Sequence, residues 1–371
     1  MSEESLFSPE VVTIYSVGLL GGSLGLALKT SGFPGTIIGL SSPAAIDTAR
    51  RLGCIDEGYG YTSLPDVVRR TDLLILCSPI GVIMKTLRHL AGLDLREGMV
   101  ITDVGSTKRE ILDAAGALPN HVHFVGGHPM AGSEKHGPSA SDPYLFQNAL
   151  YILAPDSPVP SARDRALGAF LETWLGCRHA FLTPETHDTI AATVSHVPHL
   201  LAVALVNVAQ EIDDSVPGAL SFAAGGFRDL TRIASSPYRM WRDIFLTNRT
   251  RIEPVLDRCV DTLRRMKAGL AGDELGEAFD RAARTRASLP AHKKGFITPL
   301  SEVLVVTKDQ PGIIAALATS LADKGINIKD IEVLKVREGE GGTIRLAFDS
   351  RQTAGEAVKV LTNHGFSARE R

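Results

Sequence analysis

Through the first half of the chain, short apolar runs alternate with longer stretches of helical period. Residues 11–17 are apolar and β-branched and break into Gly18, Gly21 and Gly22, and a helical pattern follows from Ser23 to about Ser31. Residues 36–40 form a second run, closed by the polar turn Ser41-Ser42-Pro43, and 44–52 then read as helix. Residues 72–77 form another run ending at Ser78-Pro79, and 99–102 and 123–125 continue the series, each after a helical stretch. Strands alternating with helices predict a parallel, doubly wound sheet, and strands without polar alternation fit a sheet covered on both faces.

The pattern changes after about Pro184. From Glu185 to Met266 the chain reads as long helices, the longest from His187 to Ile212 with Pro198 inside it, another from Arg239 to Met266 despite Pro254. Leu/Ala/Val-rich helices of this length predict an all-α second domain that pairs two copies as a homodimer. Residues 287–299 hold two prolines, a glycine and basic residues, as a linker would. Beyond it, strand 302–307, helix 311–324, alternating strand 326–336, a glycine-rich turn, strand 343–348, helix 353–364 and a short last strand give β-α-β-β-α-β, the ferredoxin-like order. The expected division is 1–184, a Rossmann-like dinucleotide-binding domain; 185–290, a helical substrate and dimerisation domain; and 299–371, a regulatory domain.

Composition narrows the function classes. A chain of 371 residues exceeds what one core usually holds, in keeping with several domains. With 39 basic against 42 acidic residues the net charge is -3, which offers no footprint for nucleic acid. The densest basic stretch, Arg281 to Lys294, reads as a solvated helix end. Four cysteines, Cys54, Cys77, Cys177 and Cys259, show no paired spacing, so each reads as a small buried apolar residue in a reducing compartment. Residues 1–10 are polar and acidic, unlike a secretory signal, and no uninterrupted apolar run approaches the ~20 residues of a membrane span. The expected location is the cytoplasm, away from membranes.

The first strand runs into Ser16-Val17-Gly18-Leu19-Leu20-Gly21-Gly22-Ser23. Against G-x-G-x-x-G, Gly18 and Gly21 hold the second and third positions and Ser16 the first. Gly18 would let the backbone approach a pyrophosphate, with Leu19 and Leu20 beside it, and Gly21 would allow close helix–strand packing. The phosphates would then lie at the N-terminus of the helix from about Ser23. Ser41 stands where NAD sites usually carry an acid for the ribose 2′-hydroxyl, and no arginine follows to grip a 2′-phosphate. NAD and NADP both stay open. Ser78 and Asp103, at the ends of later strands, are further cofactor candidates.

Three constellations point to chemistry. Asp103-Val104-Gly105-Ser106-Thr107-Lys108 lies at the carboxyl edge of a strand, where open α/β sheets bind ligands. Ser106 could bond a substrate hydroxyl or cap a helix beginning near Lys108. Gly126-Gly127-His128-Pro129-Met130-Ala131-Gly132-Ser133-Glu134 follows another strand, and His128, mostly neutral at pH 7, is placed to remove a proton. In the helical segment 185–205, His196 and His199 share a face, and Asp188 is about three turns from His199. Pro198 inside that helix suggests a kink that opens a pocket. A metal held by His187, His196 and His199 is disfavoured, since no H-E-x-x-H or cysteine ligand accompanies them. Gly225-Gly226-Phe227-Arg228-Asp229-Leu230-Thr231-Arg232 reads as a glycine-led turn whose Arg232 could pair a carboxylate in bidentate fashion.

Together these blocks resemble the prephenate/arogenate dehydrogenase family over almost the whole chain. The family's D-x-G-S-x-K is matched by Asp103 to Lys108, its G-G-H-P-x-A-G-[ST]-E from Gly126 to Glu134, and its S-H-x-P-H by Ser195 to His199. Its G-G-F-[RK]-D-x-T-R-I-A is matched by Gly225 to Ala234 and its M-W-R-D-I-F by Met240 to Phe245. The resemblance implies oxidative decarboxylation of a cyclohexadienyl ring, prephenate or arogenate, with hydride passing to NAD or NADP in tyrosine biosynthesis. In that scheme His128 takes the ring hydroxyl proton, Ser106 orients hydroxyl and base, and Arg232 holds a carboxylate. His199 and His196 line the pocket, and Ser133 and Glu134 border its mouth. The C-terminal part resembles an ACT domain, which implies an amino-acid ligand such as L-tyrosine near Gln310, Gly312 and Asn327. The rival within the same chemistry is arogenate dehydrogenase; a 3-hydroxyacid-type dehydrogenase would leave the His199 and Arg232 blocks unexplained. From another class, an amino-acid-responsive binding protein with an inactive Rossmann domain would be expected to have lost His128 or Ser106.

Overall fold

The structure is a computed structural model that describes residues 7–132, 135–272, 275–288, 300–307, 310–337 and 341–370, with 334–337 and 341 described by backbone alone. The chain divides into two compact units, 1–271 and 272–371.

The first unit opens with β1 (Val11–Tyr15), α1 (Leu19–Thr30), β2 (Thr36–Leu40), α2 (Pro43–Arg51), β3 (Glu57–Tyr59), a short α3 (Leu64–Val67), β4 (Leu73–Leu76), α4 (Ile80–Leu90), β5 (Val100–Asp103), α5 (Arg109–Ala115) and β6 (His123–Pro129). It continues with β7 (Leu150–Ala154), α6 (Ala162–Leu175) and β8 (Arg178–Phe181). The eight strands stand in the order β3-β2-β1-β4-β5-β6-β7-β8, parallel except where β6 meets β7 antiparallel. The doubly wound expectation therefore holds. Strands such as Leu73–Leu76, buried at every position, sit between two layers of apolar side chains. Chain order reverses between β1 and β4, which makes the crevice at their carboxyl ends the switch point where such sheets take ligands.

Two boundaries differ from expectation in ways that matter. Helix α1 begins at Leu19 rather than Ser23, so Gly21 and Gly22 lie inside it. Strand β6 continues through Gly126-Gly127-His128-Pro129 instead of stopping at Val125. Its first half pairs with β5 as far as Thr102↔Val125, and its second half pairs with β7, His128 standing opposite Ile152. β7 supplies that second partner and β8 extends the sheet beyond it; neither of them, nor β3, is among the strands expected from the apolar runs.

The helical part of this unit comprises α7 (Pro184–Ala191), a π-type turn at Ala192–His196, α8 (Val197–Ser215), α9 (Gly225–Thr231), α10 (Tyr238–Thr247) and α11 (Arg249–Ala268). Pro198 lies inside the continuous helical run, two residues past the end of the π-type turn. The kink belongs to the π turn, a distortion frequent at functional sites. The glycine-led turn expected before Arg232 is helix α9. The single helix expected from Arg239 to Met266 is broken at Asn248, although Pro254 does lie inside α11. Residues 184–215 form one helical run of 32 residues with a window of mean hydropathy 1.6, enough by length and composition to cross a membrane, contrary to expectation. Its buried face carries His187, Asp188, His196 and His199, and Asp188 and His196 bond other parts of the protein, while Leu201, Leu205, Val208 and Ile212 are exposed.

The second unit holds α12 (Gly276–Ser288), then β9 (Ser301–Thr307), α13 (Ile313–Ala322), β10 (Asp330–Arg337), β11 (Gly341–Phe348), α14 (Arg351–Asn363) and β12 (Ser367–Glu370). Four antiparallel strands in the order β10-β11-β9-β12 give the ferredoxin-like sheet. Strand β10 starts at Asp330, so Asn327 precedes it rather than opening it. The expected linker lies outside the described residues apart from its first two positions, which end α12.

Candidate active site

The glycine loop has the form a dinucleotide requires. A side-chain carbon added at Gly18 would meet nothing within 4 Å, so the first turn of α1 is bare on that side. One added at Gly21 would lie 2.5 Å from the Ser16 carbonyl and 2.9 Å from an Ile14 methyl, which is the close packing the third glycine permits. The first turn of α1 contains no acid, and its leading N–H groups at Leu19, Leu20 and Gly21 are those a phosphate would meet. Ser16 has φ at 72°, in the left-handed region that favours glycine. Its hydroxyl lies 2.5 Å from that of Ser78 and 2.9 Å from that of Tyr61, and Tyr61 stands 3.4 Å from the Ser41 hydroxyl. Four hydroxyls thus gather at the carboxyl ends of β1, β2 and β4, and Tyr61 is the member sequence reasoning missed. These residues fit a nicotinamide dinucleotide.

Asp103 is a different matter. It is fully buried, and its carboxylate accepts from Gly105 N (2.7 Å), Gly127 N (3.0 Å) and Lys108 Nζ (2.5 Å). Its side chain is committed to protein, so the expected cofactor contact through it is corrected. Lys108, also buried, donates to the Gly127 carbonyl at 2.6 Å, and burial pulls its pKa down while Asp103 opposes the shift. The Asp103–Lys108 pair therefore grips Gly127 by both its N–H and its carbonyl. Ser106 sits half-buried on the loop between them. It is not the helix cap: α5 is preceded by Lys108, and the N–H groups of Lys108 and Arg109 are met by Asp188 at 2.7 and 2.9 Å.

His128 follows the gripped residue directly. Its Nδ1 lies 2.8 Å from His187 Nε2, and His187 Nδ1 lies 2.8 Å from Asp188 Oδ1. Burial first, then the neighbouring His187, Lys108 and His196, holds the His128 pKa well below 6.5. His196 is pushed down to about 4, chiefly by burial, and its Nδ1 lies 3.1 Å from the Asn248 amide, which also donates to the Asp188 carbonyl at 2.8 Å. His199 is stacked on Trp241 with ring centroids 3.7 Å apart, and its buried Nδ1 has no hydrogen-bond partner. The three helical imidazoles are thus engaged in separate contacts, and no metal-binding group appears among the described residues. Arg232, at the end of α9, is exposed. Ser133 and Glu134 lie outside the described residues. His187, Asp188, Asn248 and Trp241 were not chosen as site residues; the adjacent pair His187-Asp188, on the block already read as helical, was the available signal.

Two sequence families match the chain: residues 24–178 match "Prephenate dehydrogenase, nucleotide-binding domain" and residues 183–283 match "Prephenate dehydrogenase, dimerization domain". Prephenate dehydrogenase of Bacillus subtilis is 35% identical over 363 residues, covering 96% of this chain and 97% of that protein. The crystal structure of prephenate dehydrogenase from Aquifex aeolicus in complex with hydroxyphenyl propionate and NAD+ is 33% identical with a TM-score of 0.67, covering 75% of this chain and 97% of that one. Synechocystis arogenate dehydrogenase is 27% identical with a TM-score of 0.64, covering 75% and 98%.

Proposed function

The chain belongs to the prephenate dehydrogenase family, and from that premise we propose that it converts prephenate to 4-hydroxyphenylpyruvate and carbon dioxide, with His128 as the base. A bound nicotinamide dinucleotide would supply the hydride acceptor. Gly18, Leu19, Leu20 and Gly21 would carry its pyrophosphate, and Ser16, Ser41, Tyr61 and Ser78 its ribose end. His128 Nε2 receives the proton of the ring hydroxyl as hydride leaves the same carbon. The ring carboxylate departs as carbon dioxide, its bonding pair completes the aromatic ring, and His128 returns the proton to the phenolic oxygen. Ser106 orients the hydroxyl against His128, Arg232 holds a substrate carboxylate, and His199, His196, Ser133 and Glu134 border the substrate.

The observation that carries this reading is the placement of His128: on a strand gripped by a buried ion pair, with Nδ1 engaged and no partner at Nε2 among the described residues. A general base within reach of its proton contributes about 10²–10⁴ in rate. The Nδ1 of His199, buried against Trp241 without a partner, could meet a polar group on the substrate side chain as donor or acceptor according to its tautomer. The similarity to prephenate dehydrogenases over nearly the whole chain favours prephenate over arogenate. We place the catalytic boundaries at 1–184 and 185–290 and a regulatory domain at 299–371, with two copies pairing through the apolar stripe Leu201, Leu205, Val208 and Ile212 on α8. The cytoplasm suits four cysteines that are all free. Steady-state assays of prephenate and arogenate, each with NAD and NADP, test the reading: a kcat/KM for arogenate above that for prephenate would reverse the substrate assignment.

A further inference from the structure

We propose that His187 and Asp188 act as positioning residues that lock the proton of His128 on Nδ1, so that Nε2 is always the basic nitrogen. The proposal rests on the assignment of His128 as the base. Three groups stand in a row: His128 Nδ1 to His187 Nε2 at 2.8 Å, and His187 Nδ1 to Asp188 Oδ1 at 2.8 Å. Asp188 is an acceptor only, because the backbone N–H groups of Lys108 and Arg109 already hold both its oxygens as a carboxylate at the N-terminus of α5. His187 must therefore donate from Nδ1 and present a bare Nε2. His128 must in turn donate from Nδ1 and keep its lone pair on Nε2. One carboxylate fixes two tautomers in sequence.

The surroundings leave little freedom for the alternative arrangement. His187 and Asp188 are each 1% exposed, so water does not compete for either contact. Around the row stand Lys108 paired with Asp103 from the β5 side, His196 on the π turn bonded to Asn248, and, further out, Arg109 paired with Glu185 at 2.8 Å. None of these offers Asp188 a side-chain proton. The row also spans the chain: β6 carries the base, α7 carries the relay, and α5 caps it. The base is thus oriented only when the helical segment is seated on the sheet edge. When His128 takes the substrate proton at Nε2 its charge is shared through His187 toward Asp188, and returning the proton restores the starting tautomers, so nothing is consumed.

The test uses Asp188→Asn, His187→Gln and His187→Phe in the full-length enzyme, with His128→Asn as reference. In Asp188→Asn one of the two accepting oxygens becomes an NH2, so the side chain no longer accepts from Lys108 N, Arg109 N and His187 Nδ1 together, and the tautomers of His187 and His128 lose the carboxylate that fixes them. The expected result is a fall in kcat on the order of 100-fold or more, as wrong-tautomer variants of related relays show, with substrate KM within about 3-fold and a changed pH profile. Gln at 187 can still accept from His128, so His187→Gln retains at least about ten times the kcat of His187→Phe. Cofactor binding, read by quenching of protein fluorescence, and the unfolding midpoint monitor whether each variant is folded. Should Asp188→Asn prove unstable, the Gln/Phe comparison decides alone. Equal activities for Gln and Phe, or wild-type kcat and pH profile in Asp188→Asn, overturn the relay while leaving His128 in place if His128→Asn is inactive. An active His128→Asn overturns instead the base assignment on which it rests.

Discussion

The imidazole of His199 lies flat against the indole of Trp241, at 3.7 Å between centroids and 17° between planes. The two come from different helices, α8 and α10, and Trp241 also leans on Phe245, 5.5 Å away. The stack fixes the ring plane of His199, so the direction of its unpartnered Nδ1 is set before any ligand arrives. Trp241→Ala removes that support along with about 0.5–1.5 kcal/mol of ring contact. KM for prephenate is expected to rise roughly 3- to 10-fold with kcat changed less, and an unchanged KM in the folded variant would separate His199 from substrate binding.

The His128 base sets the acid side of the activity profile. Burial and its cationic and imidazole neighbours lower its pKa below 6.5, and a base works in its neutral form. The acid limb of kcat/KM is therefore expected below pH 6.5, with activity flat through neutrality. His196, at about 4, stays neutral across most of that range. Both groups bind protons more readily unfolded than folded, so the fold loses stability as pH falls below 6.5. A midpoint at or above 6.5 would show that another group titrates.

Breaking the buried Asp103–Lys108 pair should be expensive. Lys108→Met leaves a carboxylate with no countercharge in the interior, a loss of about 3–5 kcal/mol. Urea unfolding should show it as a lower midpoint. Asp103→Asn combined with Lys108→Met removes the stranded charge and should regain part of that loss, though kcat stays low because Gly127 is gripped by fewer bonds.

The central strands β1, β2 and β4 were legible because they are short apolar runs whose alternation with helices dictates parallel pairing, whereas β3, β7 and β8, the last two beyond an antiparallel step, were not. The catalytic blocks were legible as sequences of unusual composition, but their geometry was not. His128 was expected just past a strand, and it lies inside one because β7 offers a partner where β5 ends. Asp103 was expected to face the cofactor, whereas a lysine five residues later folds back on it. Such returns depend on loop conformation, which hydrophobic period does not encode. The relay joins positions 128 and 187, and nothing local at either position specifies the other.

The Ser41 hydroxyl lies 3.4 Å from that of Tyr61, which in turn meets Ser16, in a cluster of hydroxyls. A 2′-hydroxyl and a 2′-phosphate can both be accepted by such groups. Ser41→Asp supplies a carboxylate that bonds a ribose diol and repels a phosphate. The ratio of kcat/KM for NAD to that for NADP is expected to rise at least about tenfold; a ratio that does not move would take Ser41 out of the ribose site.

Control by L-tyrosine is expected at the C-terminal unit. Gln310, Gly312 and Asn327 are all exposed there, on the turn before α13 and the segment before β10. Gly312 has φ at 85°, a conformation that side-chain-bearing residues adopt at a cost, and it shapes the turn into which a ligand's charged ends would fit. Coupling between separate sites is typically 1–3 kcal/mol, so tyrosine should weaken apparent substrate affinity by roughly 5- to 150-fold. Tyrosine also resembles the product and could compete at the catalytic site, so inhibition by itself does not locate the effect. Gly312→Val and Asn327→Ala discriminate, since neither residue belongs to the catalytic machinery proposed for residues 1–271. Both variants should keep wild-type kcat and KM without tyrosine and lose most of the response across a tyrosine titration. Inhibition curves that superimpose on wild type would place tyrosine at the catalytic site and leave the ferredoxin-like unit without this ligand.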